Sequence, residues 1–123
     1  MTGDSFTSRA DEAETPRFDF EEHVLRFNMA VETGDWTAFT DRFADDAVLE
    51  FVGPPVGPFS GRAAIREAYA RQPPDDKIEL DGPVTAESDE LVVAYRWART
   101  GATGSIRVTE RAGRITRLVV TFN

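Results

Sequence analysis

Apolar residues recur at helical spacing from Phe18 onward. Phe20, Val24, Phe27 and Val31 share one face, while Glu21, Arg26 and Glu32 fall elsewhere. Asp19 is placed to cap this first helix with Glu22 three residues on, and Gly34 suits its stop. Asp35 caps a second predicted helix, in which Trp36, Phe39 and Phe43 form the apolar stripe; it ends near Ala44, and Asp45-Asp46 make the turn. Ala47–Val52 alternates and reads as a strand. The segment Gly53–Gly61 holds three prolines and three glycines, which excludes both helix and central strand. A third helix, Arg62–Arg71, opens at Ser60 or Gly61 and is broken by Pro73-Pro74.

Beyond Pro74 the pattern has period two. Ile78–Leu80, Glu90–Thr100, Ser105–Glu110 and Arg114–Phe122 are strand candidates, separated by glycine-containing turns. The long middle strand puts Leu91, Val93, Tyr95, Trp97 and Arg99 on one face, and Val92, Ala94, Arg96 and Ala98 on the other. Helices first and antiparallel strands afterwards make an α+β layout, with about three helices packed on one face of a sheet. Residues 1–17 lack a hydrophobic period and are expected to be a flexible tail ending near Pro16, with Phe6 as its one anchor candidate. Residues 18–123 form a single domain.

Composition narrows the chemistry. The chain has 123 residues, 14 basic and 22 acidic, for a net charge of −8 and a pI near 4.6. Such a field opposes nucleic acid and anionic membrane as partners. The absence of cysteine excludes disulfides, thiolate metal sites and cysteine nucleophiles. A single histidine, His23, removes His-rich metal sites, so no metal or cofactor is expected. No stretch approaches the roughly 20 apolar residues of a membrane helix. The N-terminus has no basic and apolar leader pattern, so a cytoplasmic protein is expected. Lys77 is the sole lysine beside 13 arginines, a bias associated with GC-rich bacterial genomes.

Glu32–Phe51 (ETGDWTAFTDRFADDAVLEF) followed by Ser60–Tyr69 (SGRAAIREAY) resembles the nuclear transport factor 2-like superfamily, and within it the ketosteroid isomerase-like and SnoaL-like polyketide cyclase groups. The resemblance runs from about Phe20 to Phe122. It implies a cone in which the helices pack on the concave face of a curved antiparallel sheet and enclose an apolar cavity. It also implies a homodimer through the convex sheet face, and a small, mostly apolar molecule as partner. Site chemistry varies on one scaffold, so the likeness specifies the fold more than the reaction.

Steroid isomerases on this scaffold use a proton-moving aspartate, together with a tyrosine and a protonated aspartate at the dienolate oxygen. By resemblance the tyrosine position falls on Phe27, the proton-moving aspartate on Phe51, and the second aspartate near Ser105. Phe27 and Phe51 have no proton to move, so that catalytic set is not kept. Tyr69 matches a tyrosine whose hydroxyl reaches the cavity in those enzymes; a core aromatic at the cavity boundary is the other reading. Arg99 follows Tyr95 and Trp97 by parity, and at the cavity wall its guanidinium would suit a carboxylate, enolate or phenolate. A solvated arginine next to the Gly101–Gly104 turn is the alternative. Epoxide hydrolases on this scaffold set an arginine between two aspartates, but here Thr100 and Gly101 follow Arg99, so the second acid is missing.

His23 precedes Phe27 by one helical turn and is the best available general base, or else a surface or boundary histidine on an amphipathic helix. Asp45-Asp46 match a family turn and are expected to cap backbone amides; Glu50 points away from the Phe51 face. Val56 and Phe59 sit on a stiff loop beside the expected cavity mouth, and Phe59 is a candidate ligand contact. The candidate catalytic residues are therefore His23, Tyr69 and Arg99. Phe27, Phe51, Phe59, Tyr69, Tyr95, Trp97 and Arg99 are candidates for ligand binding. The functional expectation is binding of a steroid- or polyketide-like molecule, with isomerase- or cyclase-type proton transfer if there is catalysis. The alternative is a non-catalytic binding or assembly domain.

Overall fold

The computed structural model describes residues 18–123; the expected tail and Phe6 lie outside them. Helix α1 (Phe20–Thr33) begins at Asp19, whose carboxylate accepts the backbone N–H groups of Glu21 and Glu22, and ends at Gly34 in the left-handed conformation (φ 80°) that glycine adopts without strain. Helix α2 (Thr37–Thr40) has only four residues, far shorter than the stripe Trp36, Phe39, Phe43 predicted. The Thr40 hydroxyl donates back to the Trp36 carbonyl at 2.9 Å, a competing bond that suits a helix end. Phe43 then opens strand β1 (Phe43–Val52), because Ile115 N–H reaches the Arg42 carbonyl and Phe43 pairs with Ile115.

Asp45-Asp46 accordingly lie inside a strand, where the register slips between Phe43 and Val48, and not in a turn. Asp45 takes an ion pair from Arg62 at 2.5 Å in place of the expected amide cap. The Pro/Gly segment runs along the sheet edge, and its end forms the two-residue strand β2 (Phe59–Ser60) against β1. Helix α3 (Arg62–Arg71) follows as predicted.

Five strands complete the chain: β3 (Ile78–Leu80), β4 (Thr85–Glu87), β5 (Glu90–Trp97), β6 (Thr103–Arg111) and β7 (Arg114–Phe122). The sheet order is β2-β1-β7-β6-β5-β3, with β4 also paired to β5. Among the described residues the result is α+β: three helices and a curved sheet of seven strands. The sheet is mixed, since β1 and β7 run parallel while every other pair is antiparallel. β4 was not anticipated; all three of its residues are exposed, so it has no alternating burial for a sequence pattern to register.

Strand β5 stops at Trp97, short of the predicted Thr100. Trp97 N–H bonds to the Ala102 carbonyl and Gly101 N–H to the Trp97 carbonyl, which closes a tight turn there. On the inner face Val93, Ile106, Val120 and Phe51 form one register row, and Leu49, Leu118 and Val108 lie in the next. These residues and the helix aromatics Phe20, Phe27, Trp36 and Phe39 make the core. Arg96, Arg107 and Arg117 face the other way, each paired with a carboxylate. No helix among the described residues is long and apolar enough to cross a membrane.

Candidate functional site

The first corner of the site is set by the start of α1. Phe18, just before the Asp19 cap, lays its ring on His23, the fourth helical residue, with centroids 5.4 Å apart. This is a hydrophobic staple with an imidazole in the usual apolar place. Phe39 covers His23 from α2 at 5.0 Å. His23 is left 5% exposed, and its imidazole makes no hydrogen bond to another described residue. Burial, and secondarily the Arg42 charge, lower its pKa from 6.5 to about 4. At neutral pH it therefore carries one N–H donor and one bare nitrogen.

Tyr69 supplies the second corner from α3. Its ring stacks on Trp36 at 4.6 Å and 13°, and meets Phe39 edge-on at 5.3 Å. The side chain is buried and its hydroxyl has no hydrogen-bond partner among the described residues. Burial, with the neighbouring Tyr95 hydroxyl, pushes its pKa well above the usual phenol range, so it remains a proton donor. Tyr95 reaches in from β5 over Gly104, and its hydroxyl makes a long 3.4 Å bond to the Thr121 carbonyl. Trp97 stands edge-on to Tyr95 at 5.7 Å and to Phe27 at 6.3 Å.

These groups border a cavity of about 290 Å³, at the small end of the range for small-molecule sites. His23, Tyr69 and Tyr95 belong to its buried part, with Leu49, Ile106 and Leu118 of the sheet as wall. Phe51 and Phe59 are half-buried, and exposed Val56 and Gln72 mark the mouth. No carboxylate, lysine or arginine is among the lining residues. No cluster of metal-ligating side chains occurs among the described residues.

Of the residues singled out from sequence, His23, Phe27, Phe51, Phe59, Tyr69, Tyr95 and Trp97 all border this cavity. Arg99 does not, and its expected register is corrected. Past Trp97 the backbone turns, Arg99 N–H bonds to the Asp76 carboxylate at 3.0 Å, and the guanidinium donates to the Asp75 carbonyl with its side chain 61% exposed. Parity fails because the strand has already ended. Ser105 pairs with Ala94 and Thr121 on the outer face, so the position nearest the family's second aspartate also points away from the cavity. Glu50 lies on that outer face and pairs with Arg117.

Sequence reasoning did not single out Leu49, Ile106, Leu118, Val120 or Phe122 as lining residues. Strand alternation contains that signal, but becomes usable only once the cavity-facing parity of each strand is known.

The SnoaL-like domain family matches residues 24–121. This chain belongs to the SnoaL-like domain family. No curated protein matches it. Among solved structures, this SnoaL-like chain is similar to a candidate polyketide cyclase from Sinorhizobium meliloti, with a TM-score of 0.59 and 22% identity over 80% of this chain and 93% of that one. A candidate isomerase from Bacillus subtilis gives 0.61 and 22%, over 85% and 88% of the two chains. A candidate ketosteroid isomerase from Kribbella flavida gives 0.62 and 14%, over 83% and 76%. At these identities the likeness establishes the nuclear transport factor 2-like fold, and the reaction has to be argued from the cavity itself.

Proposed function

We propose that this SnoaL-like domain binds a small, mostly apolar ring metabolite of steroid or polyketide type and catalyses proton transfer next to its carbonyl. The observation that carries the reading is that His23 and Tyr69, neither of them hydrogen-bonded to another described residue, meet on the one ring of Phe39 at the wall of a mostly apolar cavity. Two polar groups that open onto a cavity and bond to no other described residue are free to meet a ligand's oxygen and its adjacent C–H. His23 is the base: neutral, desolvated, and with a conjugate acid near the acidity of the carboxylate that steroid isomerases use. Tyr69 donates to the oxygen on which charge develops. The setting we assign is cytoplasmic, in keeping with a cysteine-free composition.

The test is deuterium uptake from D2O at the carbon beside the carbonyl of 2-tetralone, followed by NMR. Protein-dependent exchange that falls about 100-fold in His23→Gln is the expected result for loss of a general base. Exchange equal to that in buffer sinks the catalytic reading.

A second reading has its own support. By resemblance Phe27 and Phe51 fall at the positions where steroid isomerases carry their tyrosine and aspartate, and no carboxylate is among the lining residues. A binding domain without turnover fits these two substitutions. It predicts a ligand-induced rise in melting temperature with no product.

The dimer belongs to the same proposal. Val92, Ala94, Ser105, Thr121 and Val52 lie on the outer sheet face beside the paired arginines, and Val52 is 50% exposed. Sedimentation of Val52→Glu against the parent chain tests it; an unchanged monomer in both removes it.

A further inference from the structure

We propose that Gly53–Pro58 is a strap that closes the mouth of the cavity over a bound ligand, seating Val56 against the α3 rim at Ala68 and Gln72. The inference rests on the ligand-binding reading above and adds how a ligand is admitted, held and released.

The strap is fixed at its two ends and free between them. At one end Gly53 lies against Phe122, where a Cβ would come within 3.2 Å of the Phe122 Cβ. At the other, Phe59 pairs with Leu49 of β1, and Gly61 N–H bonds to the Ala47 carbonyl at 2.7 Å. Pro54–Pro58 make no hydrogen bond to any described residue. Their backbone groups are left to water, so the segment can move without breaking a bond of the fold. Its composition makes that movement the swing of one body. Pro54, Pro55 and Pro58 each fix φ, whereas Gly53 (φ 120°) and Gly57 (φ 81°) sit in backbone that glycine adopts and leaves at little cost. A few such positions are enough to absorb the swing of a loop.

The direction of the swing follows from where apolar surface lies. Val52–Pro58 contains no polar side chain. Pro54 already lines the cavity, but Val56 stands 41% exposed at the mouth. Helix α3 packs beside β1 and β2, which sets Ala68 and Gln72, one helical turn apart, on the neighbouring rim. An inward swing carries Val56 out of water and onto the ligand and Ala68. An outward swing gains nothing and exposes Pro54. The ligand supplies the apolar contact that Val56 lacks, so closure follows its entry. Closure also shuts water out of the corner formed by His23 and Tyr69, where a proton would move.

The experiment uses the absence of cysteine from the chain. The double variant Val56→Cys/Gln72→Cys carries one thiol pair, which can join only when closure brings the two Cα atoms within about 7 Å. Oxidation by diamide is followed with and without 2-tetralone. The ligand is expected to speed disulfide formation about tenfold, by favouring the closed arrangement. Oxidised chain loaded with 2-tetralone should retain it through gel filtration and release it on reduction. Val56→Ser, at an exposed position, should keep the parent melting temperature and release 2-tetralone about tenfold faster, read by Trp97 emission in stopped flow. Thiols that join no faster with ligand, or not at all, overturn the strap, as does an oxidised chain that exchanges ligand as fast as the reduced one. A parent-like release rate in Val56→Ser removes Val56 as the seat. Each of these leaves the ligand-binding reading standing. Failure of the parent chain to bind 2-tetralone in calorimetry overturns that reading and this inference together.

Discussion

Tyr95 lies across Gly104: a Cβ placed on that glycine would stand 2.6 Å from the Tyr95 hydroxyl and 2.1 Å from the Thr121 carbonyl oxygen. The two residues face each other in the β5–β6 register. The missing side chain is what lets the Tyr95 ring cross the sheet toward Thr121. Gly104→Ala therefore has to move both a packed ring and a backbone carbonyl. A loss of about 3 kcal/mol or more of stability in urea denaturation is expected, with weaker binding of any cavity ligand. A variant as stable as the parent would mean that Tyr95 is free to leave.

His23 ties stability to pH. Its pKa falls from 6.5 in the unfolded chain to about 4 in the fold, so the unfolded state takes up the proton first as pH drops. The contribution is complete above pH 6.5 and is lost as pH falls toward 4, amounting to about 3 kcal/mol. The carboxylates titrate in part of the same range, so the measurement is the difference between the parent chain and His23→Leu. That difference should shift against the parent between pH 7 and pH 4.5. A constant difference would mean that the imidazole is already solvated.

Arg99 provides the contrasting case. Its guanidinium is exposed and its partner Asp75 more so, so Arg99→Ala should leave stability within about 0.5 kcal/mol and leave ligand affinity unchanged. Asp76, which holds the Arg99 backbone N–H through both carboxylate oxygens, matters more to the turn. A large affinity loss in Arg99→Ala would return the arginine to the cavity.

The two tryptophans give separate signals. Trp97 borders the cavity, whereas Trp36 is buried behind Tyr69 and is not among the lining residues. Ligand should change the emission of Trp97, and Trp97→Phe should abolish most of the change. Equal responses from both indoles would indicate a rearrangement reaching through the Tyr69–Trp36 stack.

Much of this molecule is local in origin. Asp19 and Gly34 bound α1 because a cap carboxylate and a left-handed glycine act on neighbouring amides, and the sequence displays both. Periodicity put Phe27 on the apolar face of α1 and Tyr95 and Trp97 on one face of β5, while it was the family resemblance that directed these residues, Phe51 and Tyr69 toward a cavity. His23 could have been placed as buried from sequence, since Phe18, the Asp19 cap and the fourth helical position spell a staple.

Three features were decided only by tertiary structure. Phe43 left the predicted helix for β1 because Ile115, distant in sequence, offers it a parallel partner. Strand β5 ended at Trp97 because the turn to Ala102 and the Asp76 carboxylate take its next amides, and that turned Arg99 out of the cavity. The neutrality of His23 came from Phe18 and Phe39 closing around it. Sequence by itself determined α1, α3, most of the strands and the family likeness, since propensity, capping and periodicity act over a few residues. Where strands end, which side chains meet and which charges lose their water depend on contacts between distant segments, and in this protein those contacts left the cavity without a formal charge.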